Sequence, residues 1–264
     1  MPTAAVNGTT LYYEAAGDGP PLIFIHGMCG NAGVWADQVA RLSPRFRCIA
    51  YDRRGHTRSA LGQIATRSVE LHADDAAALI RELALAPCLL VGSSGGARVG
   101  VDVVRRYPDL IRGAVLSEPP LFALDPEGAA AFMDEVKPKI EKAVAMAGTR
   151  AAVDAFFEAV CPGLWRTLPD AARNRYRDNE RELFGDLQMP PYKVSREDLA
   201  RIHRPCVVIT GSESPPALRR IVQILADTIP GCRAVELKGS GHVTYHERPA
   251  EFAAAVGSFA DTLT

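Results

Sequence analysis

Leu89-Leu90-Val91-Gly92-Ser93-Ser94-Gly95-Gly96-Ala97 is the stretch on which the reading of this chain turns. A short apolar run of this kind is read as a buried strand. It ends in Gly-x-Ser-x-Gly, and a helix-compatible segment from Ala97 to Tyr107 begins at once. A turn that tight from strand to helix leaves no room for side chains on either side of the serine. Gly92 and Gly96 supply the freedom, because a Cβ at either place would strike neighbouring backbone. The turn lifts the Ser94 hydroxyl above the sheet edge, and the free N–H groups of the helix start point at whatever binds there. The rival reading is a glycine-rich turn of a nucleotide-binding fold. It fails because neither GxGxxG nor GxxxxGK[ST] can be written over these residues.

Moving outward, the same strand-then-helix rhythm recurs. Thr3–Val6, the turn dipeptide Asn7-Gly8, and Thr10–Ala15 read as a hairpin. Strands are predicted at Leu22–Ile25, Cys48–Tyr51, Cys88–Val91, Gly113–Leu116, Cys206–Thr210 and Ala234–Leu237. Helices are predicted at Trp35–Leu42, Asp74–Leu85, Pro216–Ile229 and Ala250–Leu263. Such alternation implies a mostly parallel sheet with helices on both faces. It breaks once, between Leu121 and Pro205. That interval offers only helix-prone stretches at Gly128–Ala147, Arg150–Val160 and Asp170–Phe184. We therefore divide the chain into a sheet core, residues 1–120 and 206–264, and an inserted helical cap, residues 121–205. Phe132, Phe156, Phe157, Trp165, Tyr176, Phe184 and Tyr192 give the insertion its aromatic character. Most of them are expected to pack on the core and one or two to line a pocket. Trp165, Phe184, Leu121, Phe122 and Val243 are the predicted substrate contacts.

Composition bounds the rest. At 264 residues, 47% hydrophobic and 23% charged, the chain can bury one large core. A formal net charge of −1 argues against nucleic acid or an anionic membrane as partner. Neither a signal peptide nor a spanning apolar run is evident, and the six cysteines are scattered without CxxC. The expectation is a cytoplasmic protein with reduced thiols, a small-molecule substrate and an undetermined oligomeric state.

A serine hydroxyl needs a base within reach. Of six histidines, His242 sits in Gly239-Ser240-Gly241-His242, in the loop after the last strand, which opens on the same sheet edge as Ser94. His246 is read as a solvated residue at a helix start and His26 as a backbone partner. His56, His72 and His203 fall in charged or loop contexts. A metal reading of His242 and His246 lacks HExxH and a third ligand.

With these pieces in order, the chain resembles the α/β-hydrolase superfamily from end to end. His26-Gly27 matches the oxyanion loop, Asp52–Ser59 the Asp-x-x-Gly-x-x-x-Ser turn, Gly92–Gly96 the elbow and Gly241-His242 the histidine motif. The resemblance implies an eight-stranded sheet, Ser94 as nucleophile, His242 as base, and an oxyanion hole from the N–H groups of Gly95 and Met28, with Gly27 as an alternative donor. It implies no metal or organic cofactor. Ser94, where dehalogenases and epoxide hydrolases carry Asp, argues against their chemistry. Thr57, where many members carry Gly, is expected to affect only a turn.

A larger departure concerns the third member. The family's usual acid position after the penultimate strand is Ser214 here, in Thr210-Gly211-Ser212-Glu213-Ser214. Glu118, at the end of the strand following the elbow helix, is the preferred substitute. Glu213, then Asp125 or no acid at all, stay open. An acid at the sixth strand, none after the seventh, and one helical cap are similar to zearalenone lactone hydrolases, a looser likeness that does not carry the substrate over. The expected activity is a serine hydrolase cleaving an ester or lactone with an apolar or aromatic substrate. A β-diketone hydrolase, a cofactor-free peroxidase and a catalytically silent binding protein are the alternatives.

Overall fold

The computed structural model describes residues 1–62 and 67–263. Eight strands form one sheet: β1 (Thr3–Val6), β2 (Thr9–Ala16), β3 (Pro21–Ile25), β4 (Arg47–Tyr51), β5 (Cys88–Ser93), β6 (Ile111–Ser117), β7 (Cys206–Gly211) and β8 (Arg233–Leu237). Their order is β1-β2-β4-β3-β5-β6-β7-β8. The β1–β2 and β2–β4 pairs are antiparallel and every other pair is parallel. Asn7 and Gly8, with φ of 45° and 70°, make the hairpin turn that their sequence announces. The fold is therefore the mostly parallel α/β sheet that the alternation predicts.

Successive residues of the central strands face opposite layers, as a pleated strand requires. Ile23, Ile25, Leu90, Leu116 and Val208 belong to one apolar layer with residues of α2 (Val69–Glu82), α3 (Gly95–Arg106) and α10 (Pro216–Thr228). Leu22, Phe24, Leu89, Val91, Val115 and Ile209 belong to the other. There they share a layer with residues of α1 (Ala36–Leu42) and α12 (Pro249–Asp261). Helix α2 starts earlier than its periodicity suggests, because Ser68 accepts a hydrogen bond from Leu71 N and caps it. That extension carries His72 into the core, 1% exposed, rather than into a charged loop.

From 121 to 205 the chain contributes six helices and no strand: α4 (Pro126–Ala147), α5 (Thr149–Val160), α6 (Pro162–Thr167), α7 (Asp170–Arg177), α8 (Glu180–Leu187) and α9 (Arg196–Ala200). A short α11 (Thr244–Glu247) follows β8. Several polar contacts join residues 121–205 to the rest of the fold, among them three sets near the site, besides the buried Tyr192–Asp102 bond at 2.8 Å. Asn179 donates to the carbonyls of Cys29 (3.1 Å) and Gly30 (3.0 Å) and accepts from Thr57 N at 2.8 Å and Thr57 Oγ1 at 3.0 Å. Asp186 pairs with Arg53 at 2.8 Å, and Glu182 pairs with Arg67. Thr57 thus does more than shape a turn: held at φ 42°, it presents both N–H and hydroxyl to the insertion. No helix among the described residues is long and apolar enough to cross a membrane.

Candidate active site

Ser94 joins β5 to α3 at φ 53° and ψ −124°, a conformation an L-residue adopts only under constraint. The flanking glycines show what the constraint is. A Cβ on Gly92 would lie 2.7 Å from the Gly96 carbonyl oxygen, and one on Gly96 would lie 2.1 Å from that of Ile25. The helix is pressed so hard against β3 and β5 that only glycine fits. Ser94 N–H donates to the Ser117 carbonyl at 2.8 Å, tying the elbow to the end of β6.

That neighbour matters. Ser93 pairs with Ser117 across β5 and β6, so Ser94 and Glu118 follow at adjacent strand ends. Glu118 is itself at φ 45° and fully buried. Its Oε1 accepts from Thr210 Oγ1 (2.6 Å) and Gly211 N (2.8 Å), while Oε2 lies 2.6 Å from His242 Nδ1. His242 Nε2 lies 3.0 Å from Ser94 Oγ. A carboxylate accepting two donors on one oxygen presents a lone pair on the other, so Nδ1 of the imidazole carries the hydrogen and Nε2 is free to accept from the serine.

The other acid candidates stand elsewhere. Glu213 is exposed. Asp125 caps α4 through Gly128 N and pairs with Arg220 at 2.8 Å. Ser214, at the family's usual acid position, is buried with its hydroxyl unpartnered among the described residues.

Met28 and Gly95 face each other beside the serine: a Cβ on Gly95 would come 3.6 Å from Met28 N, while one on Gly27 would come 3.0 Å from Ser94 Cβ. The loop that carries Met28 is held by His26. Its Nδ1 donates to the Gly27 carbonyl at 2.8 Å, and its Nε2 accepts from Arg53 N at 2.9 Å. Burial drives the His26 imidazole well below its ordinary pKa, and nearby His56 and Arg53 add to this. His56 is buried and similarly lowered by desolvation, with Arg53 second. His246 is mostly buried, not solvated, and desolvation pulls it down to about 4.

A cavity of about 210 Å³ opens over Ser94, Gly95, Met28 and His242. Phe122, Phe132, Met133, Val136, Phe156, Val160 and Leu218 make most of its wall, with Arg98 and Asp186 as its charged members. A small recess of about 20 Å³ on the Gly27 side is lined by Phe157, Tyr176 and Val243. Phe122 and Val243 therefore stand at these spaces, and three predicted contacts do not. Trp165 is 2% exposed, stacked on Phe157 with centroids 4.6 Å apart, and its indole N–H donates to Asp154. It sits behind the wall because its polar edge finds a partner there. Phe184 turns to a surface recess with Leu61 and Arg67. Leu121 is drawn under the sheet edge by the Pro119–Pro120 turn and belongs to the core layer of Ile221 and Leu225. Arg98, Thr210, Asn179 and Asp186 were not singled out by their sequence context. The only signal for Arg98 was a cation one helical turn past the serine in an otherwise apolar run.

Fold and geometry together define a class: an α/β sheet with a serine at a strained strand–helix turn. The profile of the alpha/beta hydrolase family matches residues 22–255, and the chain belongs to that family. It is similar to 2-(acetamidomethylene)succinate hydrolase of Mesorhizobium japonicum, with 27% identity over 96% of this chain and 92% of that protein. It is also similar to the uncharacterized hydrolase YraK of Bacillus subtilis, 34% identical over 140 residues. That alignment takes in 51% of this chain and 52% of YraK, so the match spans about half of that relative's length. Among solved structures, the enol-lactonase from Burkholderia xenovorans LB400 superposes with a TM-score of 0.79 at 26% identity, covering 98% of this chain and 100% of that one.

Proposed function

We propose that this protein is a serine hydrolase that opens a carboxylic ester or lactone of a small molecule through an acyl-enzyme. The observation that carries the reading is the continuous hydrogen-bonded line from Ser94 Oγ through His242 to Glu118 at the floor of the cavity. Ser94 attacks the carbonyl carbon while His242 Nε2 takes its proton, and Glu118 steadies the imidazolium that results. The N–H groups of Met28 and Gly95, from two residues that meet beside the serine, hold the oxyanion. His242 then protonates the leaving alkoxide, and water, activated by the same imidazole, releases the acid. The inserted helices serve as a cap that shields the reacting groups from bulk solvent while admitting the one water that deacylation consumes.

The names of the relatives, a succinate-derivative hydrolase and an enol-lactonase, support a small hydrolysable substrate. The cavity volume agrees, being somewhat above the roughly 150 Å³ that admits benzene. Six unpaired cysteines, five of them buried, suit a reducing cytoplasm.

The test is a panel of short esters, lactones and β-diketones, read beside stoichiometric fluorophosphonate labelling. Ester or lactone turnover and labelling, both lost in Ser94→Ala, are expected. Turnover of β-diketones alone would move the reaction to C–C cleavage, and unlabelled Ser94 with no turnover would leave a binding protein.

A further inference from the structure

The site described so far has no use for Arg98, and Arg98 is the most conspicuous group on the cavity wall. It lies four residues after Ser94 on α3, about 6 Å further along the helix axis at 1.5 Å per residue. It lines the same cavity as Ser94, Met28 and His242. Among the described residues its Nε is buried without a hydrogen-bond partner. The one carboxylate on that wall, Asp186, is taken by Arg53 at 2.8 Å. Phe122 and Phe132 stand on the same wall, 5.4 Å apart at their centroids.

A guanidinium keeps its charge in such surroundings and cannot shed the cost by deprotonating. Arg98 is only half-buried, but its Nε is closed off from water without a partner among the described residues, so an anion entering the cavity would find a charge-bearing donor group not already paired. The planar fork of the guanidinium is shaped for a carboxylate. Asp186 is shared: its Oδ2 pairs with Arg53 while its charge also acts on Arg98, so two guanidiniums face one carboxylate and the wall is one positive charge in excess.

We infer that the substrate is a carboxylate-bearing ester or lactone, and that Arg98 binds its carboxylate while the acyl carbon sits on Ser94. The inference names the substrate class of the hydrolase proposed above and rests on that reading for the acyl chemistry, though not for the binding. Arg98 and Ser94 line one cavity of about 210 Å³, which sets the scale at the half-ester of a short diacid. Apolar walls then cover the chain between them, and the neutral diester of the same length gains nothing from the guanidinium.

Monomethyl glutarate and dimethyl glutarate, followed by released acid, test this. Wild-type protein should prefer the half-ester in kcat/KM, expressed per ester group. In Arg98→Met that preference should fall about 10- to 100-fold, the range a charge-assisted hydrogen bond supplies, and chiefly through KM of the half-ester. Arg98→Lys, which keeps the charge but not the fork, should recover part of it. Arg98→Met should be no less stable to urea than wild type, since it removes an unpaired charge. A folded Arg98→Met protein with an unchanged half-ester preference would overturn the inference. Titration of both esters onto Ser94→Ala protein separates this from the failure of the hydrolase reading. Tighter binding of the half-ester, lost when Arg98→Met is added, supports anion recognition even if no ester is turned over. Equal binding of the two esters refutes it even if turnover is fast.

Discussion

Replacing Glu118 by glutamine is the sharpest probe of the hydrogen-bonded line, because the new side chain has the old one's shape. Glu118 Oε1 accepts from Thr210 Oγ1 and Gly211 N, and Oε2 meets His242 Nδ1. A glutamine has one acceptor oxygen for these three donors. Placing its oxygen toward Thr210 and Gly211 turns its NH2 on His242 Nδ1, which must then accept. The imidazole proton is forced to Nε2, where it faces Ser94 and can no longer take the serine's proton. The opposite placement sets the NH2 against the fixed Gly211 N–H and leaves a buried donor unmet, at about 1–3 kcal/mol. The first arrangement wins, so the protein folds and the base is held in the wrong tautomer. Such a tautomer error costs on the order of 10⁴ in kcat in serine proteases. At about 1.36 kcal/mol per decade, that is about 5 kcal/mol of barrier. Steady-state kinetics on the best ester of the panel should show kcat reduced by three to four decades with KM little changed. Glu213→Gln, altering an exposed side chain, should stay within a few-fold. A Glu118→Gln enzyme within tenfold of wild type, or a Glu213→Gln enzyme that is dead, would refute the reasoning.

The elbow and the buried histidines give two more tests. Gly96→Ala should destabilise by more than about 3 kcal/mol, since the added Cβ meets the Ile25 carbonyl rather than a movable side chain; an unchanged urea midpoint would contradict the packing. His26, His56 and His72 are all held well below the ordinary imidazole value of 6.5 by burial. The unfolded chain therefore binds more protons than the folded one below that pH. Stability should be full above 6.5 and decline as pH falls, with a limiting slope of about 5 kcal/mol per pH unit once His246, pulled down to about 4, is counted with these three. Glu182, pushed upward by burial, offsets part of that slope. His72→Leu, which removes a ring with neither nitrogen partnered among the described residues, should flatten it. Urea unfolding at several pH values between 5 and 8 reads both effects, and equal stability across that range would count against them.

What could be read before any coordinates was what short-range sterics or strand order dictates. Gly92 and Gly96 flank Ser94 because a helix start touching two strands excludes a Cβ, and that is a local fact written in five residues. The Asn7-Gly8 turn and the run of strands are legible for the same reason. What escaped depends on which face of an inserted helix turns inward. Trp165 and Phe184 share their helical context with Phe132 and Phe156, yet only the latter two reach the cavity. A spacing pattern tells that a face is apolar and not what it is laid against. Thr57 and Asn179, 122 residues apart, meet only once the insertion is docked. Arg98 was invisible because a lone cation on a helix is ordinarily solvated. Only the closing of α4, α5 and α8 over it makes it unusual.

The place of Glu118, the acid of the proposed mechanism, follows from the sheet rather than from chance. Three parallel strands, β5, β6 and β7, end side by side, and each supplies one component. From β5 comes the serine. β6 supplies the carboxylate, lifted into position by a residue at φ 45° whose N–H is fixed to the Ile209 carbonyl at 3.1 Å. β7 supplies the two donors, Thr210 Oγ1 and Gly211 N, that grip Glu118 Oε1. In the usual arrangement the acid follows β7, and here that strand has become the clamp for an acid one strand nearer the serine. Gly211 has its own reason to lack a side chain, since a Cβ there would meet the Ser240 carbonyl oxygen at 2.2 Å, in the loop that carries His242. The close passage of that loop over the end of β7 brings the imidazole within 2.6 Å of Glu118. An aspartate at 118 would be a methylene too short to hold the β7 donors and the imidazole together, so the longer acid is the one this geometry requires.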